Sequence, residues 1–448
     1  MKNVSLSAQF SKEIFNWTQP FSNHLSRPQQ FNFREIIRGI LIAGTTHLNA
    51  IGRANGSCSN ERKTIKRFSD ALGKIPTDKF AAIHVKNHIK QYRNEPVLIL
   101  SDGGDFQKPY ARKMEKVCKA VDGSNGHKTG RGYPLHGLVA LGLESNELNI
   151  LALRTYSTLD ENFKSELDEE KKNFEMLHPL VKSSAFDRII IEDRGCDDEK
   201  RFLYFTKELG CSFITRISVG EKSRKFMIKN RYGEFEGMKV NEIAKKLRVK
   251  ADSEKVWWNK KIGMELTSRI AFEKVYLPKN LDMPLYMILC YSEGYEKKFE
   301  EPLVILTDLE TKDLETAWKY FFYYKKRWEV ENFYRAIKEQ FGAEKFQIMD
   351  YEKIKALTFA VMLAYSLLLK IKKKLNEFLG LMYELYKSFC RRKQRCGEHQ
   401  LDVLAFLRDY LHKSEMEEQY QFYSQRFRKS RLYPSKNQLQ IFNTRKLW

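Results

Sequence analysis

Two aspartates stand at the close of apolar, strand-like runs: Asp102 after VLILS and Asp193 after RIIIE. Carboxylates at the carboxyl ends of neighbouring sheet strands can converge on one cation, and in an open α/β sheet that edge is where ligands bind. Strands also end in Asp for turn chemistry alone, so the pair by itself does not decide between a ligand and a turn. Asp105 follows closely, but Asp102 is the better candidate because it lies directly at the strand end. A third acid lies in LETAWKYFFYYKKRWEVENFYRAIKEQFG, which has the period of one long amphipathic helix. Tyr324, Arg327, Glu331 and Lys338 are separated there by three, four and seven residues. At roughly 100° per residue, all four side chains fall within about a 60° arc. Such a stripe could set a metal ligand beside phosphate-binding groups. It could equally be a solvated face with an i,i+4 salt bridge between Arg327 and Glu331.

The elements that must position these residues follow from period. Residues 1–92 read as a helical N-terminal region. Its NERKTIKRFSDALG segment puts Ile65, Phe68 and Leu72 on one helix face and Arg62, Lys63, Lys66 and Arg67 on the rest. A short helix, a turn and this basic helix could form a helix-turn-helix reader, or a solvated face of a bundle. From 96 onward the period changes to strand-like runs: VLILSDGGDF, HGLVALGLE and LNILALRTYS, then a charged helix, RIIIED, a second helix and CSFITRIS. Three adjacent strands, helix, strand, helix, strand is the order of an RNase H-like mixed sheet in the α/β class. We divide that core into 93–220 and 308–375, separated by a polar, turn-rich and mainly β insertion at 221–307 that includes LVILTDL. Residues 376–448 read as a helical, basic C-terminal region; the last 24 carry seven Lys/Arg and no acid.

The balance of 79 Lys+Arg against 57 Asp+Glu gives a formal charge of +22. That excess makes a polyanion the natural partner, because each phosphate neutralised by Lys or Arg releases a condensed counterion. Seven scattered cysteines without a Cys-x-x-Cys pair point to reduced thiols in a cytoplasmic compartment. The first residues lack the apolar region of a signal peptide. ALTFAVMLAYSLLLKI is shorter than the ~20 residues of a membrane span and reads as a buried core helix, so no membrane role is expected. His84 and His88, four apart with no third ligand, read as a surface pair. No GxxxxGK[ST] loop is present, which removes an ATP-driven function.

The spacing Tyr-x2-Arg-x3-Glu-x6-Lys is the signature of a large group of DDE transposases from bacterial insertion sequences, and residues 324–338 resemble it without a gap. SDGGDFQKPYARKMEKVCKAVDGSNG is similar to the block around that family's first Asp, and IIIEDRGCD to the block around the second. The resemblance spans about 96–345. It implies that Asp102, Asp193 and Glu331 hold two Mg²⁺ ions, with Mn²⁺ as a substitute, for in-line displacement at phosphorus. It further implies that Tyr324, Arg327 and Lys338 hold DNA phosphates, and that flanking DNA leaves through a hairpin.

Arg194 and Arg216 point toward the same edge as candidate phosphate contacts. Trp257 and Trp258, in KVWWNKK, are candidates for stacking on an unpaired base, although a Trp pair in a β region is commonly core. The expected partners are terminal inverted repeats, target DNA and a second copy of the chain, with the C-terminal helices as the interface. Two other readings stay open: a DNA-binding protein without catalysis, and an RNase H-like nuclease without strand transfer.

Overall fold

The change of period near residue 96 marks the place where a sheet begins. The computed structural model describes residues 6–55, 60–122, 128–181, 186–221, 223–248, 252–259, 264–293 and 302–378. The helical, basic region expected beyond residue 378 lies outside the described residues.

Five helices come first: α1 (Leu6–Thr18), α2 (Arg27–Ala43), α3 (Leu48–Ala54), α4 (Glu61–Leu72) and α5 (Thr77–His88). Four strands follow: β1 (Val97–Gln107), β2 (Cys118–Asp122), β3 (Lys128–Gly142) and β4 (Leu148–Thr155). Then come α6 (Glu166–Glu175), α7 (His178–Val181), β5 (Arg188–Glu192), α8 (Glu199–Leu203) and β6 (Ser212–Arg216). β4, β3 and β1 are antiparallel neighbours, while β5 and β6 run parallel to β1 in the order β1-β5-β6. This is a mixed α/β fold with the strand order of an RNase H-like core, as the sequence predicted.

β3 is longer than the HGLVALGLE run suggested. It pairs with β2 through Gly132 and with β4 from Leu135. Pro134 sits between these two registers, where a missing N–H costs no ladder bond.

The intervening segment contributes β7 (Lys225–Lys229), β8 (Phe235–Lys239), α9 (Val240–Arg248), β9 (Asp252–Asn259), β10 (Met264–Leu277) and β11 (Asn280–Glu293). β12 (Leu303–Thr307) pairs with β11 on one side and with β6 on the other. LVILTDL therefore joins core and insertion in one twelve-stranded sheet. The predicted long helix is two: α10 (Leu314–Lys325) and α11 (Trp328–Glu339), followed by α12 (Tyr351–Phe378). Between α10 and α11 the amides of Lys326, Arg327, Glu329 and Val330 bond carbonyls three residues back, so the helix tightens for one turn.

Strand alternation divides the core. Leu98, Leu100, Ile189 and Ile191 pack on the face covered by α10, α11, α12 and the N-terminal helices. Val97, Ile99, Ile190 and Phe213 pack on the other, against residues of α6 and α8. The stretch Tyr351–Lys373 is long and apolar enough to cross a membrane by length and composition. Here it is a core helix: Ile354, Leu357, Ala360, Leu363 and Ala364 are buried, and α12 packs on α2 and β4. The N-terminal helices thus share a core with α12. The histidine pair is not on the surface. His84 is 1% exposed, its Nε2 lies 2.9 Å from the Ile150 carbonyl, and burial holds its pKa down at about 3. The packing of α5 on β4 helps to bury His84, and no local pattern announces it.

Candidate active site

Register brings the first two carboxylates together. The last parallel pair between β1 and β5 is Leu100 with Ile191. Asp102 and Asp193 each lie two residues beyond it, on the α11 side of the sheet, and so stand at one level. Asp102 is not at the end of its strand, as the sequence suggested. β1 continues beside β3 to Gln107, and it is only the pairing with β5 that stops.

The third carboxylate comes down from α11. Tyr334, one turn beyond Glu331, donates its hydroxyl to the Asp102 carbonyl at 2.9 Å. A Cβ on Gly104 would lie 2.8 Å from the Tyr334 ring, and one on Gly137 would lie 2.8 Å from its hydroxyl. Both glycines are therefore required for α11 to lie this close to β1 and β3. The sequence reading missed Tyr334; the paired glycines of SDGGDF and the glycine of HGL were the signal.

Arg327 joins the three acids. Its Nη1 is 2.8 Å from Asp102 Oδ2, its Nη2 is 3.6 Å from Asp193 Oδ2, and Nη2 also contacts Glu331 Oε1. The Tyr324 hydroxyl donates to Asp193 Oδ1 at 3.0 Å. Burial, with Asp193 and Glu331 alongside, pushes Asp102 up to about 7 despite the pull of Arg327. Burial acts on Asp193 in the same sense, but Arg327, the Arg194 amide and Tyr324 outweigh it and hold that carboxyl below its ordinary value. Arg327 itself is driven up by the carboxylates in spite of its burial. Three carboxylates against one guanidinium leave the cluster short of positive charge.

Among the described residues no His, Cys, Asp and Glu side chains form a ready-made metal cage. The acids meet through Arg327. Hard oxygen donors with excess negative charge nonetheless fit a hard divalent cation.

The remaining candidates fall in four places. Lys338 pairs with Asp105 Oδ2 at 3.3 Å and Glu344 Oε1 at 3.2 Å, farther along the same helix. Arg216 ends β6 and lowers the pKa of Asp193, while Arg194 is exposed next to it. Trp257 and Trp258 lie on β9, and they differ. Trp257 Nε1 donates to Ser268 Oγ at 2.9 Å and its ring meets Phe321 edge-on, whereas Trp258 is 56% exposed. Arg62, Lys63, Lys66 and Arg67 are exposed on α4, opposite the buried Thr64, Phe68 and Leu72. α4 packs on α3 and α2.

Residues 169–367 match the family described as Transposase DDE domain. The matched span holds Asp193 and the stripe from Tyr324 to Lys338, and it begins after Asp102. No curated protein matches the sequence significantly.

Proposed function

We propose, with the transposase-domain match as premise, that this chain is an insertion-sequence DDE transposase acting in the cytoplasm on DNA. It cuts at its element's terminal inverted repeats and joins the 3′-OH ends to target DNA, in a cut-and-paste route with a hairpin intermediate. The observation that carries the reading is the convergence of Asp102, Asp193 and Glu331, from two strands and a helix, on one guanidinium.

Asp102, Asp193 and Glu331 would hold two Mg²⁺ ions, or Mn²⁺ in their place. When bound, such ions supply charge stabilisation at phosphorus and a more acidic attacking hydroxyl. The chain's own groups do the positioning. Tyr324 fixes the orientation of Asp193 through its hydroxyl. Arg327, Arg194, Arg216 and Lys338 hold backbone phosphates beside the scissile position, with Lys338 exchanging its pairing to Asp105 and Glu344 for the DNA. Trp258 offers an exposed ring for stacking, and the cations of α4 grip the duplex outside the reacting end. Two ends must be handled together, so the working species is a homodimer on DNA.

The test is a duplex carrying one inverted repeat, incubated with Mg²⁺ and resolved into nicked, hairpinned and joined products. Asp102→Asn, Asp193→Asn and Glu331→Gln should each lower cleavage by at least ~100-fold while end binding persists, since affinity comes mainly from phosphate contacts. A variant that cleaves like the wild type would remove that residue from the set. Nicked ends that are never joined would mark a nuclease instead.

A further inference from the structure

Behind the acidic cluster, on the opposite face of the same strands, lies a second polar group that the chemistry above does not use. Alternation turns Ser101 and Glu192 away from Asp102 and Asp193. The Ser101 hydroxyl donates to Glu192 Oε1 at 3.1 Å, and its oxygen lies 3.0 Å from His136 Nε2. Asn173 Nδ2 donates to His136 Nδ1 at 2.9 Å. With one proton per hydroxyl, the directions are then fixed: Asn173 to His136, His136 Nε2–H to Ser101, Ser101 to Glu192. Arg201 completes the chain, 3.2 Å from Glu192 Oε1 and in contact with Glu170. The members come from β3, β1, β5, α6 and α8. Ser101, His136, Asn173 and Glu192 are each 1% exposed, Glu170 8% and Arg201 9%.

A buried ion pair of this kind is seldom more stabilising than apolar side chains of the same size. The strands use such side chains at every neighbouring level: Ile99, Leu100, Ile190 and Ile191. The polar set occurs only one residue past the last backbone pair of β1 with β5, and one residue before both aspartates. Where the backbone ladder stops, the Ser101–Glu192 bond ties these strands on one face, as Arg327 ties Asp102 to Asp193 on the other.

We infer that Ser101, Glu192 and Arg201 are positioning residues that hold Asp102 and Asp193 at one level for divalent-cation binding. This rests on the proposed reading of the acidic site. None of the three touches substrate or metal; they act through the strands.

The test compares wild type, Ser101→Ala, the combined Glu170→Leu, Glu192→Leu and Arg201→Met variant, and Asp102→Ala. Mn²⁺ affinity is titrated alongside thermal melting and cleavage. The combined variant removes charge from the core with no partner left behind, and is expected to melt near or above the wild type. Its Mn²⁺ dissociation constant should nevertheless rise at least tenfold, with cleavage partly rescued by more Mn²⁺. Ser101→Ala, which removes one hydroxyl, should raise it about threefold even if the combined variant does not fold. Unchanged Mn²⁺ affinity in Ser101→Ala and the combined variant, with loss only in Asp102→Ala, would refute the positioning role and leave the site reading intact. Equal Mn²⁺ binding by wild type and Asp102→Ala would overturn the site reading, and this inference with it.

Discussion

Replacing Arg327 by Ala tests the charge imbalance directly. The guanidinium is the cation in contact with Asp102, Asp193 and Glu331, and its side chain is 13% exposed. Breaking a fully buried pair costs about 3–5 kcal/mol. Here the acids are 23–37% exposed, so solvent recovers part of that loss and about 2–4 kcal/mol is expected. At roughly 1 °C per kcal/mol for a chain of this length, from about 2.1 cal/mol/K of unfolding entropy per residue, melting should fall by about 2–4 °C near pH 8.

The pH dependence has a definite sign. Burial pushes Asp102 up to about 7 in the fold, against an ordinary value of 3.8. The folded state therefore binds its proton more tightly, and the contribution of Asp102 to stability falls as pH rises from about 4 to 7. Without Arg327 that pKa rises further and Asp193 loses its main support, so the deficit should be widest above pH 7 and shrink on acidification. Added Mg²⁺ or Mn²⁺ should raise the variant's melting temperature more than the wild type's. Melting curves at pH 5.5 and 8, with and without the cation, suffice. A variant within about 1 °C of wild type at pH 8, and indifferent to both pH and cation, would refute the electrostatic account.

Gly104→Ala would place a methyl against the Tyr334 ring; overpacking of this kind costs about 1–3 kcal/mol, and tilting α11 away should cut cleavage more than end binding. Trp257→Ala should destabilise by about 1–3 kcal/mol, because it removes a half-buried packed ring and its bond to Ser268, whereas Trp258→Ala should leave melting unchanged and lower only hairpin formation. Equal melting of the two variants would contradict that division. Neutralising Arg62, Lys63, Lys66 and Arg67 together should reduce the salt slope of duplex binding by up to about 4 while the core stays folded; an unchanged slope would place the DNA elsewhere.

Much of the site was legible because it depends on period and spacing. The apolar runs VLILS and RIIIE put Asp102 and Asp193 where strands end, and the 324–338 spacing put Tyr324, Arg327 and Glu331 on one side of a helical segment. What stayed hidden depends on partners distant in sequence. The break between α10 and α11 has no proline or glycine to announce it. β12 looked like part of the insertion because its pairing with β6 spans about ninety residues of chain. His84 looked like a surface residue because it is buried only by partners distant in sequence, β4, Trp17 and Phe359. Glu192 has no role legible in the sequence, because Arg201 and Ser101 meet it only behind the sheet.

The choice between Asp102 and Asp105 turns on what surrounds each. Both lie on β1, three residues apart, so alternation alone would place them on opposite faces. Asp105 is 7% exposed, and its Oδ2 is met by Lys338 at 3.3 Å and by Gln107 Nε2 at 2.9 Å. Its charge is balanced where it stands. Asp102 shares a single guanidinium with two other acids and is left with a pKa of about 7. A carboxylate in that condition gains more from an arriving cation than one already neutralised. On electrostatic grounds we therefore propose Asp102 as the ligand, with Asp105 holding Lys338 in line with Glu331 until a phosphate competes for it.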